Sequence, residues 1–367
     1  MLRRRPFALP EAEQVPGLVA VLGGEFFEPS DPLVFVEAAV SHRVVGPCAE
    51  AAKADRLRLP PRAHDALRGA HAVGALRAAL MRRELAAAAG SLAAACGAPP
   101  IVLKGPAIAD RFYDPPSLRT FADLDLMVPR GRLADAVLAL ESLGYEEKVE
   151  LRAGFGAEHG HDVHMARPVG RHRAGVELHW RVGDDPLGEA LSHRALASAA
   201  VLADGVAEAR YPSSTDQLLV CAMHLLSDRL KRLCWIEDLR RISEDLDNPA
   251  WQRAFGRARE LRLLWVLNRA LDYAEHHLGY ERPRPLGPGE PPEWGPLRAV
   301  EELDMRASLH VGRLAAMPWR DRPRYLRDVL VPSREGLEGT VGGDGAGGLR
   351  LAGRHLGRAV RGLRGRR

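Results

Sequence analysis

Asp123 and Asp125 lie two residues apart in the segment DLDLMV, where charged and apolar residues alternate strictly. On a β-strand that spacing sends both carboxylates to one face and Leu124 and Leu126 to the other. Two carboxylates side by side repel, and each favours protonation of its neighbour. A divalent cation between them removes the conflict. Mg²⁺, or Mn²⁺ in its place, suits such a pair, because it takes one or two carboxylates and fills its shell with water and phosphate oxygens. Glu177 and His179 repeat the pattern in VELHW. If that segment pairs beside the first, three carboxylates converge: Asp123, Asp125 and Glu177. Such a triad can hold two metal ions, one activating an attacking hydroxyl and one steadying a leaving phosphate.

A phosphate seat is available upstream. In Leu103-Lys104-Gly105-Pro106 an apolar burst (IVLK) meets a turn and a short helix. Glycine lets backbone approach a phosphate, and helix N-terminal N–H groups favour an anion. Proline fits the first helical turn, where its missing N–H matters least. Gly105 supplies that backbone.

Other polar groups read more plainly. His159, His161 and His164 form HGHDVH, whose spacing matches no standard zinc site and reads as a polar loop entering a hairpin. His224 and Asp238 fall on helical segments, where they can bond each other or, with His179, line an acceptor pocket. The cysteines Cys48, Cys96, Cys221 and Cys234 form no CxxC pair and read as small buried apolar residues of a reducing, cytoplasmic protein. Neither a Walker A loop nor a GxGxxG loop is present.

The elements that must position these groups follow from periodicity. Helices are expected over about 32–95, most clearly from His64 to Cys96, where Ala, Leu and Arg recur at helical spacing before the breaker Gly97-Ala-Pro-Pro. Strands are expected at Ile101–Lys104 and Asp123–Val128, and a helix at Arg132–Leu143. The runs DVHMARPV and GVELHW flank the turn-like GRHRA and predict a hairpin. Amphipathic helices resume after Ser213 and continue to about residue 280. The segments Arg282–Pro296 and Gly336–Gly348 read as loop and linker. The fold class is α+β. Residues 1–96 form an N-terminal helical region, 97–210 the core with a small mixed sheet, 211–335 a C-terminal helical region, and 336–367 a flexible Gly/Arg-rich tail.

The stretch IVLKGPAIADRFYDPPSLRTFADLDLMVPRGRLADAVLALESLGYE resembles a bacterial family of uncharacterised nucleotidyltransferases within the polymerase-beta-like superfamily. The shared hallmarks are Leu103-Lys104-Gly105, Arg119, Asp123-x-Asp125, Gly144-Tyr145 and Glu177-x-His179-Trp180. The helical pieces with His224 and with Trp235-Ile-Glu-Asp238-Leu extend the likeness over roughly residues 30–270. The resemblance implies a polymerase-beta-like core that moves a nucleoside monophosphate from a triphosphate, ATP by default, to an acceptor and releases pyrophosphate. Asp123 and Asp125 would be metal ligands, Glu177 a ligand or the base that primes the acceptor, and Lys104 and Arg119, with Gly105, partners of the phosphates. The wider superfamily places a small hydroxylated residue after the glycine, where this chain has Pro106. That departure favours one alternative, a nucleotide-binding regulatory module that has lost turnover; a toxin-like enzyme using the same chemistry on a macromolecule is a further one.

Charge narrows the acceptor. The net charge is +4, yet the tail from Arg350 to Arg367 holds seven arginines and no acid, so the rest of the chain is mildly acidic. A body without a basic excess argues against broad nucleic-acid binding and leaves a small molecule, a peptide or a protein as acceptor. The tail itself can touch an acidic partner or lipid, or remain a solubilising terminus. The opening MLRRRPFALPEAEQ lacks the apolar stretch of a signal peptide, and no apolar run is long enough for a membrane span.

Overall fold

The computed structural model describes residues 15–148, 154–183, 186–197, 200–203, 206–227, 232–280, 314, 317–330 and 333. The loop expected at 282–296, the Gly-rich stretch 336–348 and the arginine tail lie outside them. Four helices precede the sheet: α1 (Val15–Leu22), α2 (Pro32–Ser41), α3 (Val45–Lys53) and α4 (Pro61–Cys96). The 36-residue α4 is rich in alanine and leucine, the best helix formers, and stops where Gly97 takes a left-handed φ of 73°.

The central segment then alternates strand and helix. In order come β1 (Ile101–Val102), α5 (Pro106–Phe112), β2 (Asp123–Met127), α6 (Leu133–Ser142), β3 (Glu146–Glu147) and α7 (Phe155–His159). The hairpin β4 (Asp162–Val169) and β5 (His172–His179) follows, then the short helices α8 (Pro186–Ala190) and α9 (His193–Ala197), and β6 (Val201–Ala203) with β7 (Val206–Tyr211). These make one seven-stranded mixed sheet in the order β3-β4-β5-β2-β1-β7-β6. The helices α10 (Ser214–Ser227), α11 (Leu233–Asp245), α12 (Asn248–Glu260), α13 (Leu264–Leu278) and α14 (Arg322–Leu330) complete the described chain.

Two details differ from the sequence expectation. The hairpin turn is only Gly170-Arg171: Val169 pairs with His172, and His172 to Ala174 belong to β5 rather than to a longer turn. Gly170 takes a φ of 59°, which lets so short a turn close. The IVLK burst forms a ladder only at Ile101–Val102, although the Leu103 N–H still donates to the Asp125 carbonyl at 2.9 Å.

Strand alternation divides the side chains between two cores. Leu124, Leu126, Val163, Met165, Val176, Leu178 and Trp180 are buried with the second half of α4 and with α6. Ile101, Leu103 and Met127 face the opposite way and join a core built by α1–α3 and α10–α13. Helices from before and after the sheet thus share one apolar layer. The face carrying Asp123, Asp125, Glu177 and His179 is the one that this layer covers.

Candidate active site

β2 and β5 run parallel, with Asp123 opposite Gly175, Asp125 opposite Glu177 and Met127 opposite His179. The register therefore places Asp125 and Glu177 side by side on one face of the sheet. One ligand atom each from Asp125, Glu177 and His179 lies within 4.8 Å of the others. Asp123 precedes them on the same face, opposite a glycine whose missing side chain leaves room beside it; a Cβ at Gly175 would sit 3.8 Å from the Asp123 Cβ.

Asp125 is buried, and two cationic groups reach it. Lys104 Nζ lies 2.6 Å from Oδ1, and His179 Nε2 lies 3.3 Å from the same oxygen. Burial alone would push the Asp125 carboxyl up, but Lys104 and His179 outweigh it and hold the group well below the usual carboxylate range. The same pairing works in reverse on His179. Burial would lower its pKa, yet hydrogen bonds to Asp125 and Glu177 and the charge of Asp162 raise it to about 10. Asp123 moves the other way from Asp125: burial first, then Asp125 and Glu177, push its carboxyl up. Three carboxylates, Asp123, Asp125 and Glu177, outnumber the two cations Lys104 and His179, which is the condition a bound divalent cation relieves. The donors are mostly carboxylate oxygens, so the residues fit a hard ion such as Mg²⁺.

Lys104 is positioned from two sides. It leaves β1 just before Gly105, which takes a φ of 54° that an L side chain rarely adopts, and α5 begins at Pro106. Its ammonium also donates to His224 Nδ1 at 3.4 Å. Burial and the neighbouring Lys104 charge hold His224 well below its ordinary pKa, so its neutral ring accepts that bond. His224 packs edge-on to Trp235 at 4.7 Å between ring centroids. The structure thus brings His224 and His179 to the site.

Arg119 and Asp238 are placed differently from the sequence reading. Arg119 Nε and Nη2 donate to the two Asp238 oxygens at 2.7 and 2.8 Å, and Nη1 donates to the Thr120 carbonyl at 2.5 Å. Tyr113 donates to Asp238 as well, at 2.8 Å. Two guanidinium nitrogens are engaged in the buried pair with Asp238 and the third on the Thr120 carbonyl, so each of the two side chains has the other as its ionic partner. His224 and Asp238 have different partners rather than each other.

A family model described as an uncharacterised nucleotidyltransferase matches residues 28–279. The chain belongs to that family. The match spans the sheet and the helices on both sides of it, and it makes the protein a nucleotidyltransferase, a transferase of phosphorus-containing groups. No curated protein and no solved structure matches the chain.

Sequence reasoning passed over one set of groups beside this candidate site. Asp162 and His164 stand at alternate positions of β4, opposite His179 and Glu177 respectively. The sequence reading placed DVHMARPV on a hairpin strand, but it did not take the alternation Asp-Val-His-Met as a second set of polar groups beside Glu177 and His179. Four free cysteines are buried, and burial pushes the Cys221 thiol up to about 12 and the Cys234 thiol to about 11, which leaves neither suited to nucleophilic attack. Among the described residues no helix is long and apolar enough to cross a membrane.

Proposed function

We propose that this nucleotidyltransferase moves a nucleoside monophosphate from a nucleoside triphosphate, ATP by default, to a hydroxyl on a small molecule, peptide or protein, with Mg²⁺ or Mn²⁺ held by Asp123 and Asp125. The observation that carries the reading is the Asp125–Glu177 pairing across β2 and β5, with Lys104 at 2.6 Å from Asp125. A bound divalent ion supplies charge neutralisation at the α-phosphate and lowers the pKa of the attacking hydroxyl. Lys104 would hold the β- and γ-phosphates beside Asp125, and the Gly105 backbone would let them approach. Glu177, whose side chain is 28% exposed, completes the metal shell or takes the acceptor's proton on the open side of the site. The acceptor oxygen bonds to the α-phosphorus, the bond to the bridging oxygen breaks, and pyrophosphate leaves. His179 and His224 shape the acceptor side, while Arg119 and Asp238 hold the Lys104–Asp125 scaffold in place.

A second reading, a nucleotide-binding regulatory module, draws on the cations already at Asp125 and on Pro106 after Gly105. One experiment separates the two. Binding and turnover of the four ribonucleoside triphosphates are measured with Mg²⁺ or Mn²⁺, for wild type and for Asp123→Asn/Asp125→Asn. The transferase reading expects metal-dependent binding that the double variant loses, and pyrophosphate release once a cell extract supplies acceptor. Metal-independent binding without pyrophosphate release supports the regulatory reading, and absence of any triphosphate binding sinks both.

A further inference from the structure

We propose that His161, Asp162 and His179 form a separate site for a divalent ion of the zinc class, next to the carboxylate site and chemically distinct from it. One ligand atom from each of the three residues lies within 4.8 Å of the others. Asp162 stands directly opposite His179 in the β4–β5 register, and the His161 ring lies 5.5 Å from the His179 ring, centroid to centroid. Two imidazoles and one carboxylate are a donor set for zinc and its first-row neighbours, not for Mg²⁺.

The independent sign of a ligand is on His179. Its Nε2 is turned to Asp125 and Glu177, at 3.3 and 3.7 Å. Its Nδ1 is buried without a hydrogen-bond partner, in a residue only 3% exposed. A buried ring nitrogen is costly to leave unmatched, whether it carries a proton or a lone pair. An ion at Nδ1 would displace the proton the metal-free ring carries there and leave Nε2–H on a carboxylate, the carboxylate–histidine–metal arrangement found at zinc sites. Here Asp125 is that carboxylate, and the other neighbours of the ring include Asp162, opposite it in the strand register, and the His161 ring.

The surroundings brace the same three residues. His164 Nε2 lies 3.0 Å from Asp162 Oδ2, so it orients the carboxylate from outside the ligand set. The backbone around His161 is tied to the strand end, since the Trp180 N–H donates to the His161 carbonyl at 3.2 Å. Three protein ligands leave a fourth position for water or a substrate atom, as at zinc centres that do chemistry. His179 then serves two positions at once, orienting Asp125 through Nε2 and binding an ion through Nδ1. This site stands independently of the nucleotidyl-transfer reading, because its ligand set does not need a triphosphate.

The test uses the full chain stripped with a chelator and titrated with Co²⁺, whose visible absorption reports nitrogen and oxygen ligation, in millimolar Mg²⁺. Zn²⁺ competition and metal analysis give the stoichiometry. The expected result is one Co²⁺ per chain, displaced by Zn²⁺ but not by Mg²⁺. His161→Ala and Asp162→Asn should each weaken binding about 100-fold or more, and His164→Ala about 10-fold, the range typical of an outer-shell partner. Asp123→Asn should leave the Co²⁺ spectrum unchanged. His161 is partly open to solvent, and melting curves of the metal-free variants check that each is folded. Co²⁺ that Mg²⁺ displaces, or binding lost in Asp123→Asn and kept in folded His161→Ala, would overturn the site.

Discussion

The proton on His179 belongs to the folded state as much as to the ring. Burial disfavours it, but Asp125, Glu177 and Asp162 together hold its pKa near 10, against about 6.5 in an unfolded chain. A raised folded pKa contributes stability that is fully present below the unfolded value and is lost as pH rises through the folded one. Between those limits the native protein binds one more proton than the unfolded chain, so stability falls by up to roughly 1.4 kcal/mol per pH unit. In chelator-treated protein, urea unfolding followed from pH 7 to pH 10 should show that decline beyond the decline of His179→Gln measured in parallel. Equal slopes in the two proteins would mean that Asp125 and Glu177 do not share their charge with this ring. The reciprocal effect lies at acid pH: Asp125 is held low, so its stabilising share is fully present above the ordinary carboxylate pKa and is lost progressively as pH falls from there through the lowered folded value.

The strands and loops decide where these residues stand, and the segment between α5 and β2 is held by backbone approach. A Cβ on Gly46 of α3 would meet the Leu118 carbonyl oxygen at 1.9 Å, so α3 packs directly on the loop that carries Arg119. From α4, the His71 ring reaches the Ser117 carbonyl at 3.0 Å. Gly46→Ala should cost roughly 1–3 kcal/mol, since a backbone oxygen cannot rotate aside. Gly69→Ala, on α4 with open space around its would-be Cβ, should stabilise by about 0.5–1 kcal/mol. Urea titrations of both variants check the pair, and similar effects would show that the α3 contact is not tight. This clamp was not legible in the sequence, where Gly46 is one glycine among many and its partner lies seventy-odd residues away. Asp123, Asp125 and Glu177 were legible because period-two alternation is a local signal, and α4 because its composition admits little else. Asp162 and His164 were legible as strand residues, but their place beside His179 and Glu177 depends on the hairpin register, which the sequence does not show. The strands β6 and β7 escaped notice because they are short and Val201 and Leu202 of β6 are exposed, so no core-facing pattern marks the β6 ribbon.

At the scale of the whole molecule, the sheet and the C-terminal helices meet through charge as well as apolar packing. Arg119, on the loop before β2, and Asp238, on α11, form a two-pronged ion pair with both side chains buried. Tyr113 closes it from α5's end, and Arg241 stacks over the Tyr113 ring at 4.4 Å while bonding Glu237 and Glu50. The chain therefore runs from α3 through α11 to the loop that delivers Asp123 to the site. Single-sequence reading could see both Arg119 and Asp238 as noteworthy but not as partners, because the pairing depends on how α11 folds back across the sheet. Breaking one side of such a pair leaves an uncompensated buried charge and costs roughly 3–5 kcal/mol, whereas replacing both with apolar groups of similar volume is often neutral. Arg119→Met and Asp238→Leu should each destabilise strongly, and the double variant should be far more stable than the sum of the two predicts, a coupling that a double-mutant cycle measures. Additive losses would show that the two side chains act independently and would return Arg119 to the role of phosphate partner. Triphosphate affinity of the double variant then separates the two roles: retained binding fits a brace between layers, and binding lost in proportion to Arg119→Met alone fits direct contact.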